Sequence, residues 1–399
     1  MKKIWTLSLA ATLLAASLLE YAPRAAAEPA AAAASKTATP AAEKTVLPAL
    51  DIQSIREAIS GLPNAKATAA LVYVGTPTDS WLAASGVNDM ESKEPARADG
   101  RFRIGSITKV FTAAVVLQLV AEQKVDLNQS IQHYLPDVLP ADFPTVTIGQ
   151  LLNHTSGLPS PKLPDEWNEW DLQNMNWTPQ QVVDLAVKNP MEFEPGTRQH
   201  YVNINYFLAG LLIEQVTGNP YEMEVQQRIV QPLHMTNTYL PGSSTRLIGT
   251  HAHGYQAVNQ DGTTELVDVT EGSQSFTWAA GQIISTTSDL NTFMTALFTG
   301  KLVPRDVLEN MFTVPEVPMW NQDGQDVGMA TLSMGMMRTT MNGITFWGKT
   351  GARPGYGNGM FATRDLERRL VYSVNSTDAK GEGPNQIGNK IGMAAFGLK

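Results

Sequence analysis

Only one serine in the chain is followed by a lysine three residues on, in Ser106-Ile107-Thr108-Lys109. Residues three apart share a helix face, so this hydroxyl and ammonium can touch. A serine hydroxyl is a poor nucleophile near neutral pH and needs a base, and a lysine whose pKa is lowered by burial supplies one. A serine at a helix start also sits in the positive end of the helix dipole, which favours a developing alkoxide. The spacing alone is weak. Ser-x-x-Lys arises about once by chance in a chain of this size and describes an N-capping serine before a surface lysine equally well. Its setting sharpens it: residues 110–121 are apolar except for Thr112 and Gln118. Lys109 therefore opens a helix that is apolar on nearly all sides, where an idle charge is costly.

Two further groups can serve such a nucleophile. Tyr201-Val202-Asn203 follows the turn Glu194-Pro195-Gly196 and precedes a helical pattern over 205–216. A tyrosine beside cations can lose its proton below its usual pKa of about 10 and act as a base. Asn203 is placed to hold Lys109 and a substrate amide, although the tripeptide alone also suits a packed tyrosine with a capping asparagine. Tyr356-Gly357-Asn358 repeats the pattern in a glycine-rich turn with no helix following and is set aside. Lys349-Thr350-Gly351 ends a strand pattern over 344–348. Its lysine and threonine offer a cation and a hydroxyl to a substrate carboxylate, and its glycine lets a substrate backbone approach. The N–H groups of Ala352 and Ser106 together can form an oxyanion hole.

The elements around these groups indicate an α+β fold. A short helix over 51–59 precedes strands at 67–74 and 80–85, joined by a Gly-Thr-Pro turn. Residues 125–300 read mainly as helices between Pro/Gly turns, one of them closed by Gly218-Asn219-Pro220. Strands at 331–337, 344–348, 358–362 and 369–374 follow, and then a helix over 385–396. Short links imply antiparallel pairing. Strands at both ends predict one sheet assembled from the two termini, flanked by helices and carrying a helical insertion, with a cleft where the parts meet. The expected division is a signal peptide (1–27), a flexible linker (28–47), a sheet-containing subdomain (48–110 and 290–399) and a mostly helical subdomain (111–289).

Serine-x-x-lysine, Tyr-x-Asn and Lys-Thr-Gly in this order resemble the serine β-lactamase/penicillin-binding-protein superfamily. Tyr201-Val202-Asn203 stands where class A β-lactamases have Ser-Asp-Asn, so the chain resembles the class C type and the related D-alanyl-D-alanine peptidases. The likeness runs from about residue 50 to the end. It includes Phe102-Arg103-Ile104-Gly105, the block Leu151-Leu152-Asn153-His154-Thr155-Ser156-Gly157-Leu158, and Ala280-Gly281-Gln282-Ile283-Ile284-Ser285. Residues 249–255 and 278–302 are most similar to the soluble, secreted serine D-Ala-D-Ala carboxypeptidase/transpeptidase. The resemblance implies the β-lactamase/DD-peptidase fold, with Ser106, Lys109, Tyr201, Asn203 and Lys349 in the catalytic set. It further implies that Thr350, Gly351, Ala352, Trp278 and Arg338 contact the substrate. That carboxypeptidase has histidine where this chain has Lys349, the class C and penicillin-binding-protein choice, which leaves open which activity dominates.

Bulk properties narrow the setting. Lys2 and Lys3, a mostly apolar stretch over 4–19 and Ala25-Ala26-Ala27 form the three parts of a cleavable secretory signal. Residues 28–45 are Ala, Pro, Thr, Ser and Lys with two Glu and almost no large apolar residue, the composition of a tether. The chain has no cysteine, which excludes disulfides, thiolate catalysis and Cys-ligated zinc. A net charge of −9 without a dense Lys/Arg cluster in the mature part argues against nucleic acid. His251 and His253 lack an obvious third metal ligand, and no metal or organic cofactor is expected. His154 is expected to tie down its turn, and Trp167, Trp170 and Trp177 to pack a helical subdomain. No Gly-x-Ser-x-Gly elbow is present, which disfavours a Ser-His-Asp hydrolase.

The expected protein is a secreted, monomeric serine D-Ala-D-Ala carboxypeptidase. It would act on peptidoglycan peptides or other D-amino-acid-containing substrates, be acylated by β-lactams, and have no stable membrane insertion after signal cleavage. The alternatives are a class C-like β-lactamase, an esterase, a D-specific peptidase or amidase, and a non-catalytic cell-wall-binding or sensor module.

Overall fold

The computed structural model describes residues 45–163, 172–260, 263–321, 323–381 and 385–398. The expected signal peptide, all of the linker before Thr45, and Trp167 and Trp170 lie outside the described residues.

Six antiparallel strands form the central sheet, and their apolar residues point to both faces because both faces are covered. Strands β1 (Ala67–Gly75) and β2 (Ser80–Gly86) come from the N-terminal part. β3 (Phe102–Arg103) pairs with β6 (Ile284–Ser285) away from the sheet, and β4 (Tyr255–Gln260) with β5 (Thr263–Asp268). β7 (Pro318–Trp320) and β8 (Asp326–Met329) form another small pair. β9 (Met337–Met341), β10 (Ile344–Arg353), β11 (Tyr356–Thr363) and β12 (Arg369–Ser376) complete the sheet in the order β2-β1-β12-β11-β10-β9. The two chain ends meet where β1 lies against β12, Ala67 opposite Ser376.

Alternation along β1 sends Ala69 and Leu71 into one core and Ala70, Val72 and Val74 into another. The second core is closed by the terminal helices Ile52–Ala58 and Gln386–Phe396. The first holds the Thr108–Ala121, Ile204–Thr217 and Thr287–Phe298 helices, with Phe111 stacked on Phe293 at 3.7 Å. The result is a sheet between two helical layers, the larger of which carries Ser106 and Lys109.

Several local expectations are corrected. Ser106 lies in a 3-10 turn, Gly105–Ile107, before the α-helix, and Ile107 rather than Ser106 takes the N-cap position. The serine hydroxyl is thereby free of a capping bond. Residues 332–336 are buried but irregular, and the strand begins only at Met337. Gly335, at φ +86°, passes so close to the Thr108–Ala121 helix that a Cβ there would stand 2.8 Å from the Ala113 Cβ. The apolar character of this stretch reflects packing on the helix. The β4–β5 hairpin interrupts the middle region that reads as helical; every residue of β5 is exposed, so it carries no alternating pattern. Among the described residues no helix is long and apolar enough to cross a membrane.

Candidate active site

The turn carrying Ser106 is pressed against β10 by two glycines. A Cβ on Gly351 would fall 2.0 Å from Ile104 O and 2.9 Å from Ser106 N. Gly105, at φ +55°, leaves room for the Ala352 backbone: a Cβ there would be 2.7 Å from Ala352 N. This corrects the expected role of Gly351. The space it spares is filled by the Ile104–Ser106 turn rather than by a substrate backbone, and the contact brings the Ser106 and Ala352 N–H groups alongside each other. Asn358 fastens the same junction, its Nδ2 donating to Arg103 O (2.9 Å) and Gly351 O (3.2 Å).

Lys109 is fully buried one turn along, with its Nζ 3.2 Å from Ser106 Oγ. The amine also donates to Asn203 Oδ1 and Ala280 O, each at 2.8 Å. Tyr201 lies between the two lysines, its ring centroid 4.9 Å from Lys109 Nζ and 4.7 Å from Lys349 Nζ. Its hydroxyl is buried without a well-formed hydrogen bond among the described residues and approaches the Ser106 hydroxyl. Lys349 Nζ donates to Thr350 O at 3.1 Å. Three segments far apart in sequence thus converge on one serine.

A family model described as Beta-lactamase matches residues 55–390. The chain belongs to this family, within the superfamily of serine β-lactamases and penicillin-binding proteins. Protein flp of Staphylococcus aureus strain MRSA252 is 33% identical over 38% of this chain and 30% of its own length. Penicillin-binding protein 4* of Bacillus subtilis strain 168 is 26% identical over 73% of this chain and 64% of its own. The chain therefore spans about a third of the first relative and less than two thirds of the second. Among solved structures, a D-stereospecific amidohydrolase from Streptomyces sp. superposes with a TM-score of 0.75 at 30% identity, over 87% of this chain and 98% of that one.

Within this β-lactamase-family site, burial sets the proton affinities. It pushes the Lys109 pKa well below the usual amine value, and the Lys349 charge pushes it further. Burial also brings Lys349 down to about 8. Tyr201 moves the other way, because burial raises its pKa more than the Ser106 hydroxyl lowers it. The sequence left open either Tyr201 or Lys109 as a base; these shifts favour a neutral Lys109 and a protonated Tyr201.

His154 shapes the tyrosine's position. It is buried, and Asn205 Nδ2 (3.1 Å) and Val202 N (3.4 Å) approach its Nδ1. Its ring centroid lies 4.6 Å from that of Tyr201. Burial foremost, then the Lys109 and Lys349 charges, hold its pKa well below the ordinary histidine value.

Trp278, to which the resemblance gives a substrate contact, is only 7% exposed. Its indole is buried among Phe207, Tyr221 and Gly210, and Nε1 donates to Glu222 Oε1 at 2.9 Å. Gln282 Nε2 donates to the same oxygen at 2.8 Å, while Thr112 Oγ1 holds Ala279 O at 2.7 Å. These bonds fix the Trp278–Gly281 turn and hence the Ala280 carbonyl on Lys109. Glu222, Gln282, Ala280 and Asn358 are the site residues that sequence reasoning missed. The Ala280–Ser285 block contained Ala280 and Gln282, the Tyr356-Gly357-Asn358 tripeptide contained Asn358, and Glu222 had no signal.

Arg338 is exposed on β9 opposite Trp347, the residue two before Lys349 on β10, and so shares a sheet face with Lys349. Trp177 packs edge-on against Phe276 at 5.3 Å. His253 Nδ1 pairs with Asp268 Oδ2 at 2.6 Å, and His251 Nδ1 lies 2.5 Å from Gly249 O. Among the described residues no group of three His, Cys, Asp or Glu is placed to hold a metal ion.

Proposed function

We propose that the chain is an exported serine D-alanyl-D-alanine carboxypeptidase that works through an acyl-enzyme on Ser106, acts as a monomer and is acylated by β-lactams. The observation that carries the reading is the surroundings of Lys109 Nζ. A neutral amine has two N–H donors and one lone pair. Asn203 Oδ1 and Ala280 O take the two donors, so the lone pair is left for the hydroxyl proton of Ser106.

A peptide ending in D-Ala-D-Ala places its carboxylate by Lys349 and Thr350. β9 pairs with β10 only over 344–348, and the same edge of β10 beyond Gly348 is open to an extended substrate. Ser106 Oγ attacks the penultimate carbonyl carbon while its proton passes to Lys109 Nζ. The oxyanion is held by the N–H groups of Ser106 and Ala352. As the C–N bond breaks, Tyr201 Oη–H protonates the departing D-alanine nitrogen and regains a proton from Lys109. Water then attacks the ester by the reverse path, or an amine takes the acyl group in transpeptidation.

A D-amino-acid amidase is the second reading, favoured by the 30% identity to the D-stereospecific amidohydrolase over nearly all of that protein. A fluorescent penicillin is expected to label the wild type and not Ser106→Ala. Persistent labelling of that variant removes the assignment. Release of D-alanine from a D-Ala-D-Ala peptide, measured beside ammonia release from D-alaninamide, separates the two readings. Export is tested by the N-terminus of the extracellular protein, expected at Glu28.

A further inference from the structure

A second cavity, of about 280 Å³, opens beside the Tyr201 loop and is lined by Ser160, Glu192, His200, Trp320 and Gly324. None of these residues takes part in the chemistry above. His200 is the residue next to Tyr201, about 3.8 Å away along the chain. The walls are tied together by backbone bonds: Glu192 N donates to Gly157 O (2.8 Å), His200 N to His154 O (3.0 Å) and Trp320 N to Gln199 O (2.9 Å). Asn189 Nδ2 holds Ser160 O at 3.1 Å. Gly324 leaves the edge of the Trp320 ring uncovered; a Cβ there would already touch Cζ2 at 3.4 Å. The cavity is therefore preformed, and a ligand would pay little to order it.

Its chemistry is that of a cation acceptor. Glu192 Oε2 is paired with His200 Nδ1, while Oε1 has no hydrogen-bond partner among the described residues. No lysine or arginine bridges to Glu192 among those residues. The Trp320 ring supplies an apolar wall, backed edge-on by Phe193. The Arg198 guanidinium, paired with Asp326, lies 4.8 Å from the Trp320 ring centroid and shows that the ring accepts a cation as a neighbour. A carboxylate oxygen beside an aromatic wall fits an ammonium group on a short methylene stem.

We propose that this cavity is a subsite for a primary alkylammonium group carried by the substrate, with the ammonium on Glu192 Oε1 and its methylenes along Trp320. The proposal rests on the acyl-transfer reading above and names what the enzyme selects beyond the scissile bond. The ammonium belongs either to a free α-amine or to the side chain of a diamino acid.

Three Lys-D-Ala-D-Ala peptides distinguish these sources: α-acetylated, ε-acetylated and doubly acetylated. One singly acetylated peptide is expected to exceed the doubly acetylated one about tenfold in kcat/KM, mostly through KM, and Glu192→Gln brings that ratio close to one. Equal rates on the three peptides, or a ratio unchanged in Glu192→Gln, overturn the subsite. An independent measurement needs no turnover. Pentylammonium is titrated into the protein while the indole N–H resonance of Trp320 is followed, assigned with Trp320→Phe. A saturable shift in the wild type that is lost in Glu192→Gln supports the subsite; no saturable shift overturns it whatever the enzyme hydrolyses. Failed penicillin labelling with intact pentylammonium binding would instead count against the acyl-transfer reading.

Discussion

The two faces of the central sheet solve opposite problems. On the face covered by the terminal helices, Phe346 stacks on Phe396 at 4.6 Å and meets Phe361 edge-on, among Val72, Val74, Leu370 and Ile391. Arg368 reaches into this layer and spends its guanidinium on the carbonyls of Ala395 and Pro48. On the other face the sheet buries Lys349 and Asn358 and meets Lys109, His154 and Tyr201, polar groups brought out of water at a cost. The difference shows that destabilisation and function can be one quantity. The desolvation that makes a charged Lys109 unfavourable is also what lowers its pKa, and under the proposed function that neutral amine is the base.

The contrast is broken most sharply at Lys109. Lys109→Met is expected to reduce the rate of penicillin acylation by roughly 10²–10⁴-fold, the range for loss of a general base, with the folded state retained on thermal unfolding. Phe396→Ala on the opposite face is expected to do the reverse. It should cost about 3–5 kcal/mol in denaturant unfolding, while the molecules still folded acylate at the wild-type rate. Equal damage to stability and acylation by both variants would erase the distinction between the faces.

Lys349 sharpens the comparison through pH. Its ammonium is present below about 8 and lost above it. The ratio of kcat/KM for a D-Ala-D-Ala peptide to that for D-alaninamide should therefore fall roughly tenfold between pH 7 and 9. The ratio cancels the titration of Lys109, which serves both substrates. A flat ratio would mean that Lys349 does not hold the carboxylate. The smallest effect is expected at Glu222. Glu222→Leu strands the donors of Trp278 and Gln282 and loosens the Ala280 carbonyl, slowing acylation about fivefold. It should also shift the acid limb of the acylation pH profile, which a purely structural defect would leave in place.

Ser106 and Lys109 were legible as a pair because one helical turn separates them, whereas Lys349 stands in the middle of β10, which runs on to Arg353 beyond the strand pattern that ended at Gly348. The sheet was equally readable, since β10, β11 and β12 carry bulky residues between tight turns. Glu222, Gln282 and Asn358 left no such trace. Each acts by holding a group or backbone carbonyl supplied from a distant segment, and neither periodicity nor spacing records that. Asn358 was passed over with its tripeptide because its turn lacked a following helix, yet its side chain ties β11 to the strand before Ser106. Likeness to a family carries a residue's identity without its orientation, so the bond from the Trp278 indole to Glu222 was not legible. The β4–β5 hairpin escaped because β5 is exposed along its whole length.

The pairing of β1 with β12 has a consequence for how the molecule is made. Ala67 must find Ser376, so closing the sheet waits for nearly the whole chain and for the loss of a very long loop's freedom. Until β12 arrives, β1 and β11 each present a bare hydrogen-bonding edge, the kind of surface that joins chains together wrongly. Folding is expected to be late and slow. A chain stopped short of β12 has Ser106, Lys109, Tyr201 and Lys349 but lacks the strand that joins β1 to the β9–β11 half of the sheet.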